Sequence, residues 1–310
     1  MIQSFQKMKL LTTLIIILIT FYSWSQQIPD TSFDPDITHP LYTSGKGPLV
    51  LIDGAHHNFH QIDTRYLGFA KVLRKDGYKV EANKSVFTKS NLKNAKILVI
   101  ANAVHESDTS EWILPNPSAF TPHEMEELVQ WVRDGGSLFL IADHMPMPGA
   151  AEELAKKFGF TFYNGFATDT SQGLYPGSKK ELDVFSKKNG TLGVHPITAQ
   201  LSIVATFTGQ AFKIPTNAVS LLTFDERYKI LLPDTAWKFN ERTKRISIKN
   251  FSQGAVLEFG QGRIAVFGEA AMFTAQRKGD NAIPFGLNSP DAPENLPFLL
   301  NIIHWLDRKI

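Results

Sequence analysis

Short apolar runs alternating with helix-period stretches constrain this chain more than any other feature. Pro48–Asp53, Lys96–Ala101, Ser137–Ala142 and Arg263–Phe267 carry almost no polar residue. That is the signature of strands buried on both faces. Between them, Thr64–Lys75 sets Tyr66, Phe69, Ala70 and Leu73 on one helical face. Pro122–Asp134 opens on Thr121 with Glu124 three residues later, a capping box, and stops at Gly135-Gly136. Ala150–Phe158 and Leu296–Arg308 complete the helical set, and Tyr78–Glu81 reads as a further short strand. Such alternation predicts an α/β fold with a doubly wound, mostly parallel sheet of flavodoxin type. Residues 160–260 break the pattern with short β-like runs (Thr161–Tyr163, Ile203–Phe207, Ala218–Thr223, Ile230–Leu232, Ile246–Ile248) parted by turn residues. They read as a β-rich insertion or extension within one domain spanning 47–310. Residues 26–46, polar and proline-containing, read as a linker or wrapping arm.

In an open parallel sheet, ligands bind in the crevice beyond the carboxyl ends of the strands. The chain places Asp53, His56, His57 and His60 after one strand, Asn102 and His105 after the next, then Asp143-His144, then Glu269. His56, His60, Asp143, His144 and Glu269 are therefore the candidate catalytic residues. His56 and His60 are four apart, so one helical turn would put them on one face as ligands of a divalent metal ion. Asp143, His144 or Glu269 would complete that shell. A helix-entry histidine bonded to backbone is the alternative. Without a metal, a histidine held in one tautomer by a carboxylate serves as a general base. Arg65, one turn beyond His60 with Tyr66, suits a bidentate contact to a substrate carboxylate. Asn102 and His105 border the same rim, and Trp112, in a proline-rich loop, is placed to stack on a sugar ring. His195 reads as a turn organiser.

The sequence also excludes chemistry. It contains no cysteine, which removes thiol nucleophiles, thiolate ligands and disulfides. No Gly-x-Ser-x-Gly elbow occurs, and Gly45-Lys46-Gly47 lacks the phosphate-loop spacing. Lys7 and Lys9 precede the uncharged run Leu10–Tyr22, and Ser23-Trp24-Ser25 supplies small residues for cleavage. Residues 1–25 thus read as a secretory signal peptide, too short to span a bilayer. The expected product is periplasmic or secreted, with no stable membrane insertion after cleavage. Losing two lysines brings the formal charge of +2 to about zero. With no basic run, nucleic acid is not an expected partner.

Several segments together resemble a known family. Ile52–His60 (IDGAHHNFH) with Arg65-Tyr66, Ile141–Pro146 (IADHMP), Phe267–Phe273 (FGEAAMF) and Asn295 with His304-Trp305-Leu306 look like an uncharacterised bacterial family of class I glutamine-amidotransferase-like proteins. The resemblance runs over about residues 48–307 and implies an amidotransferase-like sheet. In glutaminases the strand after a glycine-rich turn delivers a cysteine nucleophile. Here the strand after Gly135-Gly136 delivers Asp143-His144, so glutamine hydrolysis is ruled out. Such proteins occur in polysaccharide-degrading bacteria beside unsaturated glucuronyl hydrolases, and similar proteins are associated with oligosaccharide dehydration in ulvan breakdown. The resemblance therefore implies a hydro-lyase acting on an anionic oligosaccharide, which eliminates water from a non-reducing-end uronic acid. A metal-dependent glycan hydrolase and a non-catalytic sugar-binding module are the alternatives the residues leave open.

Overall fold

The computed structural model describes residues 27–173, 175–176, 182–279 and 281–310. The expected signal segment lies outside the described residues. Among those described, no helix is long and apolar enough to cross a membrane.

The first half supplies β1 (Gln27–Pro29), β2 (Leu49–Asp53), α1 (Leu67–Lys75), β3 (Lys79–Asn83), α2 (Lys89–Leu92), β4 (Ala95–Ala101), α3 (Pro122–Arg133), β5 (Ser137–Ile141) and α4 (Met147–Lys157). Strands β6 (Thr161–Phe162), β7 (Phe166–Asp169), β8 (Asp183–Ser186), β9 (Ile203–Thr206), β10 (Phe212–Lys213), β11 (Val219–Thr223), β12 (Tyr228–Leu232) and β13 (Lys244–Ser247) follow with no intervening α-helix among the described residues. The chain closes with β14 (Ser252–Phe259), β15 (Gly262–Phe267), β16 (Ala275–Lys278), β17 (Ile283–Gly286) and α5 (Asn295–Leu306). The Thr121–Glu124 capping box forms as read. Helix α4 begins three residues before the expected Ala150, because Pro148 is tolerated in a first helical turn, where its missing N–H costs nothing.

A nine-stranded sheet runs β3-β2-β4-β5-β15-β14-β10-β6, with β11 also on β14. Only β3, β2, β4, β5 and β15 run parallel; β14, β10, β6 and β11 are antiparallel to their neighbours. Three smaller antiparallel sheets accompany it, β1-β16-β17, β13-β12-β7 and β8-β9. The expectation of a mostly parallel, doubly wound sheet is therefore wrong: the fold is β-rich and its main sheet mixed. The physical reason is the Gly260-Gln261 turn. Phe259 pairs with Gly262 across only two residues, and a connection that short joins antiparallel strands, whereas a parallel crossover needs a dozen or more. Gly260 takes φ +59°, the left-handed conformation such hairpins use. Strand β14, buried along most of its length, thus turns the sheet antiparallel. The arm also differs from a free linker, since Gln27–Pro29 pairs with Gln276–Lys278.

Alternate strand residues feed opposite faces. Val50, Ile52, Val99, Phe139 and Phe267 pack with α1 and α5, and Leu51, Leu98, Leu138, Leu140 and Val266 with α3 and α4. This buried frame holds the ends of β2, β4, β5 and β15 along one edge, and the residues after them make the site.

Candidate active site

The site is assembled around Asn102, which follows β4 in a left-handed conformation, φ +53°. Asparagine adopts that region more readily than most residues, and strain of this kind gathers at functional positions. Its backbone N–H donates to Ile141 and its carbonyl accepts from Phe59, so it ties three segments together. The Asp143 backbone N–H donates to Asn102 Oδ1 at 2.8 Å. A backbone N–H can only donate, which fixes the amide orientation and turns Nδ2 toward His60 Nδ1 at 3.1 Å. His60 Nδ1 is therefore the acceptor, and the neutral ring carries its proton on Nε2. Burial pushes the His60 pKa well below the usual histidine range, and the nearby Arg65 and His144 charges push it further.

His144 holds the opposite tautomer. Its Nδ1 lies 2.8 Å from the Met145 carbonyl, which can only accept, so Nδ1 carries a proton and the neutral ring presents its lone pair at Nε2. The ring stacks on Phe166 at 4.6 Å and 12° and meets the edge of Trp237 at 4.7 Å. Asp143 accepts the His144 N–H at 2.8 Å and, more distantly, Ala270 N–H and Thr208 Oγ1–H. Its carboxylate so fixes the start of the loop that carries the imidazole. His60, Asn102, Asp143 and His144 all line one pocket of about 530 Å³. Trp237 and Lys278 line it too.

The remaining predicted site residues lie elsewhere. His56 is buried at 6% exposure, with Nδ1 2.8 Å from Asp53 and Nε2 2.9 Å from Glu124. Burial alone would lower its pKa, but bonds to the two carboxylates outweigh it and raise it. With both ring nitrogens committed, His56 has no lone pair for a metal, so the His56/His60 pair does not fit a shared ion. Among the described residues no group of three or more histidines, aspartates and glutamates is arranged to hold one. His56 packs on Phe87 and Phe120 and joins the β2 end to α3.

Glu269 is fully buried and accepts the Ala271 and Met272 backbone N–H groups at 2.9 and 2.7 Å, so it caps the turn after β15. Tyr66 is also fully buried; its hydroxyl donates to the Ala270 carbonyl and its ring supports His60 at 5.0 Å. His105 caps a short turn by accepting the Ser107 N–H, and His195 accepts the Ile197 N–H in the same way. Arg65 and Trp112 line a neighbouring hollow of about 290 Å³ that shares Phe59 and Met147 with the main pocket.

Sequence reasoning missed Trp237, Phe166, Thr208 and Lys278. Trp237 sits at φ +64°, a costly conformation for a large residue. It arrives from the loop between β12 and β13, and Lys278 from the end of β16. No spacing links either of them to the histidine segments.

No family model matches the chain, and no curated protein matches it. Among solved structures, the chain is similar to the mmIFT52 N-terminal domain at a TM-score of 0.58 and 17% identity, over 83% of this chain and 96% of that one. A ThuA-like protein from Bacteroides uniformis is similar at 0.47 and 14%, over 86% and 94%. At these identities the first of these likenesses concerns the backbone fold alone.

Proposed function

We propose that the protein is an exported carbohydrate-active hydro-lyase that removes water from a non-reducing-end uronic acid of an anionic oligosaccharide, of the kind found in ulvan. One observation carries the reading: two imidazoles anchored through Nδ1 in opposite senses line one pocket, which leaves His60 Nε2 a donor and, in the neutral ring, His144 Nε2 a base. The motif resemblance to dehydratase-associated proteins supplies the substrate class.

Elimination across C4–C5 then proceeds with the following assignments. His144 Nε2 takes the C5 proton, and the C5–H electron pair becomes the C4=C5 bond. The C4–O bond breaks, its pair leaving with oxygen, and the His144 imidazolium returns the proton so that water departs. A base of this type contributes ~10²–10⁴-fold. His60 acts as a neutral hydrogen-bond donor to the charge that develops, since burial disfavours its imidazolium and the imidazolate is too basic to form. Lys278, on the wall of the same pocket, supplies positive potential for the substrate carboxylate. Asp143 positions the base.

Uronate oligosaccharides incubated with the protein are expected to gain the ultraviolet absorbance of an unsaturated uronate without chain shortening, and His144→Ala to abolish that gain. Chain shortening with no absorbance rise would reject the reading.

A further inference from the structure

The hollow beside the main pocket holds a feature the proposed reaction does not use. Arg65 makes no hydrogen bond or ion pair with any described residue; its guanidinium carbon lies over Phe59, 3.9 Å from the ring centroid. Its Nε is buried and unpartnered, and desolvation lowers its pKa. An arginine offers five N–H donors in a rigid fork, and leaving a buried one unmet costs about 1–3 kcal/mol. Asp108 lines the same hollow. It is 3% exposed with Oδ2 unpartnered, and burial raises its pKa. Such pre-set, unsatisfied groups on a concave surface are what a ligand completes.

We propose that this hollow is a second subsite, in which Arg65 grips an oxyanion and Asp108 accepts a hydrogen bond from a neighbouring hydroxyl. The fork matches a carboxylate or a sulfate ester by two parallel N–H···O bonds. Phe59 and Met147 wall both cavities, so an oligosaccharide seated at His60 and His144 reaches Arg65 across Phe59. The ligand is then a sugar residue, adjoining the one that reacts, that carries an anionic group beside a free hydroxyl. This identification rests on the oligosaccharide reading; the anion site itself does not.

The test follows the Arg65 Nε–H nuclear magnetic resonance of the full chain, assigned by its loss in Arg65→Gln. Inorganic sulfate, methyl glucuronide and uncharged methyl glucoside are titrated separately. The account expects a saturable shift with at least one anion and none with methyl glucoside. A response to sulfate alone identifies a sulfate ester as the source, and a response to the uronide alone identifies a carboxylate. Arg65→Lys, which keeps the charge but loses the fork, is expected to weaken the uronide or sulfate response about tenfold, read by changes at the Trp112 indole N–H. An equal response to methyl glucoside, or no response to either anion, overturns the assignment. Because no step reads dehydration, failure here is distinct from failure of the proposed reaction.

Discussion

Asn102 Nδ2 donates to His60 Nδ1 at 3.1 Å, and this single bond decides which ring nitrogen of neutral His60 carries the donor proton. The amide cannot turn over, because its oxygen is held by the Asp143 backbone N–H at 2.8 Å.

Asn102→Asp should reverse that arrangement. A carboxylate still accepts from Asp143, and aspartate tolerates the left-handed backbone, so the fold is retained. It now requires a proton on His60 Nδ1, which leaves Nε2 as an acceptor in the neutral ring. Loss of one donor aimed at developing charge predicts a fall in kcat of ~10²–10³-fold. Imidazole nitrogen shifts of His60 report the tautomer; an unchanged tautomer with unchanged kcat contradicts the assignment.

The lowered pKa of His60 also shapes the pH profile. Burial keeps the ring neutral through the ordinary histidine range, so it adds no protonation of its own near neutrality. The acid limb of log kcat/KM should then fall with the slope of one proton. A limb with the slope of two protons in the usual histidine range would show that His60 titrates there, against the effect of its burial.

His56 should matter for stability rather than chemistry. Removing it as His56→Ala leaves Asp53 and Glu124 facing one another's charge in a buried site, at a cost of about 3–5 kcal/mol. Urea unfolding measures it. The pH dependence has a definite sign. The raised His56 pKa gives stability that is full below its unfolded value of about 6.5 and is lost as pH rises through the folded one. The lowered Glu124 pKa gives stability present above its unfolded value of about 4.3 and lost as pH falls through the folded one. The first should vanish from the profile of His56→Ala and the second shrink, since the Thr121 N–H and hydroxyl still bond Glu124; a variant with wild-type stability at pH 6 would contradict this account.

Trp237 meets the His144 ring at 4.7 Å and lines the pocket. Trp237→Ala is expected to raise KM roughly tenfold through lost aromatic contact with the sugar, and Trp237→Phe to restore most of it. Equal KM in both variants would remove Trp237 from substrate binding.

The parts of this architecture that were legible in the sequence are local. Buried strands announce themselves by uninterrupted apolar runs, and α3 by its capping box, so the edge bearing Asn102, Asp143 and His144 could be read in advance. Strand direction was hidden in a two-residue turn: Gly260-Gln261 makes β14 and β15 a hairpin, and the weakly apolar start of β14, Ser252-Gln253-Gly254, conceals a central strand. His56 illustrates the limit at the site. Its spacing from His60 suggests shared ligation, yet Glu124, far away in sequence, takes its second nitrogen. Trp237 and Lys278 reach the pocket from the β-rich half by tertiary pairing alone, which no local pattern encodes.

Paired imidazoles of opposite tautomer should remove water without cutting the chain. Mass spectrometry of uronate oligosaccharides before and after incubation tests it most directly. The account predicts products lighter by one water with chain length unchanged, and no such product with His144→Ala. Shorter fragments, or an unaltered spectrum across uronate oligosaccharides, would contradict it.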